Sequence, residues 1–151
     1  MKEDLVAVDT RIISIMRKAS PPLARFAIFV VFFWFGVLKV TGDSSANPLV
    51  ADLLSRTLPF LTFSQFIIWF GLFEMAIGIL FLIPKTERIA ILLLAIHMIT
   101  TVLPLIFLPA MSWQRAFVPT LEGQYIIKNL VIIALAVSLA ASLHPLKNHH
   151  G

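Results

Sequence analysis

Four apolar stretches of membrane-spanning length constrain this chain more than any other feature in it. They cover residues 23–40, 63–83, 89–107 and 121–143, close to the about 20 helical residues that a hydrocarbon core requires. Inside a bilayer no water is present to satisfy backbone N–H and C=O groups, so spanning segments pair internally as helices. The fold class this predicts is all-α, a bundle of four transmembrane helices. Composition agrees, with 59% hydrophobic and 13% charged residues and a mean hydropathy of +0.94, where soluble domains carry about a quarter charged residues.

The segments are punctuated by residues with local causes. Ser20-Pro21-Pro22 predicts a stop for what precedes it and a start for the first span, with Ser20 as N-cap and Pro21 at the first helical position. Pro84 to Arg88 forms a short polar turn, which makes the second and third spans antiparallel neighbours. Pro104 predicts a kink or an end to the third span, because it frees the Thr100 carbonyl. Thr120 is a candidate N-cap for the fourth span, with Glu122 favourably placed in its first turn.

Before the first span, Leu5, Val8, Ile12 and Ile15 recur at helical spacing. That predicts an N-terminal amphipathic helix lying at the membrane interface. Residues 47–58 invite a similar reading, with Asn47 as cap and Leu49, Leu53 and Leu54 towards lipid, or else a plain connection. The resulting organisation is an interfacial segment at 1–22, a transmembrane domain at 23–144 and a tail at 145–151. In that tail region His144, Asn148, His149 and His150 are at most a weak metal site. A cleaved signal peptide is the poorer reading of residues 23–40, since the run is long and Lys39 interrupts the approach to any cleavage site.

Basic residues explain orientation. Lys2, Arg11, Arg17, Lys18, Arg25, Lys85, Arg88 and Lys147 fall on one side and only Arg56 and Arg115 on the other. Under the positive-inside rule, both termini are expected in the cytoplasm. The net charge of +4 therefore needs no polyanionic partner, and no basic patch with interleaved aromatics points to nucleic acid. The absence of cysteine excludes disulfides, thiol redox chemistry and thiolate metal sites. Any redox role needs a cofactor from outside the side chains, and the residues identify none.

Ionisable groups at mid-bilayer depth cost about 2.5–3.5 kcal/mol each, so each demands a reason. Lys39, Glu74, His97 and Lys128 come one from each span. At about 1.5 Å per residue they converge on the outer half of the bundle. Glu74 is expected to pair with Lys128 or Lys39. Gly71, Glu74 and Gly78 share one helix face, where small residues let a neighbour approach; Gly36 and Lys39 share a face of the first span. Gln124, Tyr125, Lys128 and Asn129 line one face of the fourth. The candidate polar cluster is Lys39, Glu74, His97, Gln124, Tyr125 and Lys128, with no catalytic residue assigned. A structural ion pair, a snorkelling Lys39 and a His97 bonded to a carbonyl are the plainer readings of the same residues. Trp34, Trp69 and Trp113 read as packing or interfacial aromatics.

The run Phe33-Trp34-Phe35-Gly36-Val37-Leu38-Lys39, the Gly71-Leu72-Phe73-Glu74 segment with Gly78, and the run from Pro119 to Asn129 together resemble the DoxX-like family of small bacterial membrane proteins. The resemblance covers the chain from about Arg25 to Leu143. It implies a four-helix bundle in the bacterial inner membrane with a polar cluster at those positions. Some family members are subunits of a thiosulfate:quinone oxidoreductase and others accompany oxidative-stress responses. A quinone is thus the ligand the resemblance suggests, with a membrane or redox protein as partner beside the lipid bilayer. Three functions stay open: an accessory, quinone-linked subunit with an intramembrane site; a small-solute or proton-coupled transporter, which would require oligomerisation; and a structural or assembly protein. The protein is not expected to be an enzyme by itself.

Overall fold

A computed structural model of the chain describes residues 2–143. Its helices are α1 (Lys2–Thr41), α2 (Asn47–Thr57), α3 (Phe63–Leu82), α4 (Glu87–Val102), α5 (Pro104–Phe107), α6 (Pro109–Ser112) and α7 (Leu121–Ala141), with a two-stranded hairpin of β1 (Trp113–Arg115) and β2 (Val118–Pro119). Four helical stretches, Lys2–Thr41, Phe63–Leu82, Glu87–Phe107 and Leu121–Ala141, are long and apolar enough to cross a membrane. The protein is an all-α, multi-pass membrane protein whose surroundings are lipid. The tail at 145–151, with His149 and His150, and also His144, lie outside the described residues.

The start of the first span corrects the sequence reading. Pro21 and Pro22 sit inside α1 rather than at its beginning, and the helix runs unbroken from Lys2. Each proline withdraws a donor from the carbonyl four residues back, here Arg17 and Lys18. Those two residues are exposed, so water can take the freed carbonyls, and proline's fixed φ suits a helix. The N-terminal segment is therefore helical, as expected, but continuous with the span.

Spans α1, α3, α4 and α7 touch in a closed ring, α1 on α3, α3 on α4, α4 on α7 and α7 on α1. The tightest join is α1 with α3. A Cβ added to Gly36 would stand 2.5 Å from the Gly71 carbonyl, and one added to Gly71 would stand 2.7 Å from the Gly36 carbonyl. Gly78 meets Phe29 and Phe33 further along, so the two helices are antiparallel. The apolar core, including Ile28, Phe32, Ile77, Phe81, Leu94 and Leu139, fills the half of the bundle nearer the α3–α4 turn. There Arg25 pairs with Glu87 at 2.8 Å.

Local chemistry ends the helices. Lys85 takes a left-handed φ of 72° in the α3–α4 turn. The Thr86 hydroxyl lies 2.6 Å from the Leu80 carbonyl and 2.8 Å from that of Ile83, covering acceptors that α3 leaves open. Pro104 does end α4 and opens α5; the Thr100 carbonyl accepts the Leu103 N–H at 3.3 Å instead. Thr120 caps α7 as expected, accepting the Gly123 N–H at 3.1 Å.

The 47–58 segment departs from expectation in detail. It is helical, but Asn47 is not its cap; the Asn47 side-chain amide donates to the Gly42 carbonyl at 3.1 Å. Leu54 is buried and Leu49 and Leu53 half-buried, because α2 lies against α3 and α5. The hairpin has no counterpart among the sequence expectations. Buried Ser112 anchors it by donating to the Pro104 carbonyl at 2.9 Å, and the Trp113 indole donates to that of Leu105 at 3.1 Å.

Candidate functional site

Antiparallel packing of α1 on α3 dictates how their charged side chains meet. Side chains on a helix lean towards its N-terminus. Lys39 therefore leans back towards the level of Gly36, and Glu74 back towards the level of Gly71, so the two converge beside the glycine crossing. Lys39 Nζ donates to Glu74 Oε2 at 2.7 Å. The other carboxylate oxygen, Oε1, lies 3.3 Å from His97 Nε2 of α4. All three residues are buried, with exposures of 6% for Lys39, 5% for Glu74 and 5% for His97. Lys39 accordingly points inwards instead of snorkelling.

Aromatic rings close around this triad. Phe70 stacks on the His97 imidazole with centroids 5.2 Å apart, Phe32 meets it edge-on at 5.2 Å and Phe73 tilts against it at 6.1 Å. Lys39 Nζ is 5.6 Å from the Phe70 centroid. Low local dielectric strengthens the ion pair and makes an unpaired group there costly. The His97 main chain is held too, its carbonyl accepting the hydroxyls of Thr100 at 2.7 Å and Thr101 at 2.9 Å. His97 Nδ1 is buried and has no hydrogen-bond partner.

The rest of the expected cluster lies elsewhere. Gln124, Tyr125 and Lys128 are exposed, and Lys128 Nζ rests over the Tyr125 ring at 5.2 Å. The choice between Lys39 and Lys128 as partner of Glu74 is thus resolved for Lys39. The cause lies in the seating of α7. Its first turns bury Gly123 and Ile126, with Gly123 so close to the Ser112 carbonyl that no Cβ fits. That turns the Gln124–Lys128 face outwards. The rings of Phe32, Phe70 and Phe73 were missed in the sequence; Phe70 and Phe73, at four and one positions before Glu74, carried the only hint. Among the described residues no group of three His, Cys, Asp or Glu side chains is placed to hold a metal.

No protein-family model, curated protein or solved structure matches the chain.

Proposed function

We propose that this is a DoxX-like accessory subunit of a redox system in the bacterial inner membrane, with both termini cytoplasmic, and that the Lys39–Glu74–His97 centre receives a quinol. The observation that carries this reading is the buried, unpartnered His97 Nδ1 among aromatic rings. With a carboxylate beside Nε2, the imidazole proton belongs on Nε2, and Nδ1 of the neutral ring offers a lone pair. A lone pair requires a hydroxyl donor, so the residues suit a quinol better than the carbonyl of a quinone.

When bound, a quinol supplies electrons and protons. The chain's own residues supply an acceptor at Nδ1, a proton path from Nε2 towards Glu74, and a lysine that balances the Glu74 carboxylate. The phenyl rings exclude water and offer flat apolar surface to a ring. No side chain here carries electrons, so those belong to a partner protein with a flavin or comparable group.

Titration of the protein in lipid nanodiscs with short-chain quinol and quinone analogues tests this reading. The quinol is expected to bind the more tightly, and His97→Phe, which keeps an aromatic volume, is expected to weaken it at least tenfold. Equal binding by His97→Phe, or none by the parent, removes the reading. A second reading, a lock between helices, is favoured by the charge balance of Lys39 and Glu74 at the glycine crossing. Unchanged function in a stable Lys39→Met/Glu74→Leu double variant supports that one instead.

A further inference from the structure

A second feature, independent of the intramembrane centre, lies in the N-terminal half of α1. Every residue from 2 to 20 is exposed. Leu5, Val8, Ile12, Ile15 and Ala19 follow one another at spacings of three, four, three and four, which is the a/d alternation of a heptad repeat. At 3.6 residues per turn these five fall within an arc of about 80°, the narrow width of a coiled-coil seam rather than the broader stripe of a helix on a globular core. Met16 flanks the seam, whereas Val6 and Ile13 stand off it at b positions.

Direction and continuity add two further constraints. The buried residues of α1, Ala24, Ile28, Phe32, Gly36 and Lys39, point about 160° away from the seam on the same helical count. The seam thus faces away from its own bundle and runs on into the exposed Leu23, Phe26 and Val30 of the span. Because α1 is unbroken through Pro21 and Pro22, the segment prolongs the span by about 28 Å. No other element among the described residues covers the seam.

We infer that residues 2–20 form a parallel coiled coil with further copies of this chain, three or four in all, with the four-helix bundles radiating outwards. Copies inserted the same way into one membrane present identical seams, in parallel and in register. Leu5 and Ile12 at a with Val8 and Ile15 at d favour more than two strands. A repeat this short is weak for free peptides, and tethering to the membrane supplies the local concentration it lacks.

The cysteine-free sequence permits a clean test. The full chain in phosphatidylethanolamine/phosphatidylglycerol liposomes would carry one substitution at a time: Ile12→Cys or Ile15→Cys on the seam, Thr10→Cys or Arg17→Cys on the opposite face. Under mild oxidation the seam variants are expected to form intermolecular disulfide at least tenfold faster than the other two. Amine-reactive cross-linking in the same liposomes is expected to give a mass of three or four chains for the parent and fewer for Ile12→Asp/Ile15→Asp. Equal cross-linking at all four positions, or an unchanged mass for the double variant, overturns the inference. So does an Ile12→Cys thiol that forms no disulfide and is shielded from a water-soluble maleimide, since the segment would then lie on lipid.

Discussion

Lys39 donates to Glu74 at 2.7 Å, and each of the two stands three residues beyond a glycine at which the α1 and α3 backbones meet. The close approach brings the charges together, and the charges in turn make the approach specific.

Breaking that pair should cost more than removing it. Lys39→Met or Glu74→Leu alone leaves one buried charge uncompensated and is expected to destabilise by about 3–5 kcal/mol. The double variant should recover most of that loss. Thermal unfolding in detergent, run as a double-mutant cycle, reads the coupling; additive losses would show that the two side chains act separately.

Lys128 provides the contrast. It is exposed on α7 and its ammonium rests over the ring of Tyr125, so Lys128→Met should stay within about 0.5 kcal/mol of the parent. A loss comparable to that of Lys39→Met in the same unfolding measurement would place Lys128 in the centre after all.

Glycine substitutions test the crossing itself. Gly36→Ala forces a methyl to 2.5 Å from the Gly71 carbonyl and to 2.6 Å from the Met75 side chain. Backbone cannot yield as a side chain can, and a loss of about 1–3 kcal/mol is expected. Gly42, with φ 88° and open space around its Cβ, should lose only about 1 kcal/mol on replacement by alanine, through backbone strain alone. A larger loss at Gly42 than at Gly36 contradicts this ordering.

Thr120→Ala removes the cap of α7 and also the hydroxyl that donates to the Met111 carbonyl. About 1–2 kcal/mol is expected, and Thr120→Ser should restore most of it. Hydrogen exchange at the Gly123 amide gives the local readout: faster exchange in the alanine variant, near-parent exchange in the serine variant.

Much of this architecture was legible in the sequence, because hydropathy and proline placement act locally. The four spans, the Pro104 break and the Thr120 cap needed no tertiary information. Depth along each helix also placed Glu74 and His97 at one level. Rotation was legible for α1 and α3, where the glycine stripes marked the faces that meet and turned Lys39 and Glu74 inwards, but not for α7. Lys128 matched Glu74 in depth, yet the fit of Gly123 beneath Ser112 turned it outwards. Pro21 and Pro22 misled for a related reason: whether a proline ends a helix depends on what can satisfy the carbonyls it frees, and here the neighbouring turn is open to water.

The meeting of Gly36 and Gly71 has a mechanical meaning. With each glycine's missing Cβ site blocked by the other's carbonyl, the α1 and α3 backbones leave no gap between them at the level of the ion pair. His97 belongs to α4, outside that join, and reaches Glu74 through the longest link of the triad. An opening of the centre is therefore expected first at α4, between the Lys85 turn and the Pro104 break, with faster hydrogen exchange along α4 than along α1 and α3 as its sign.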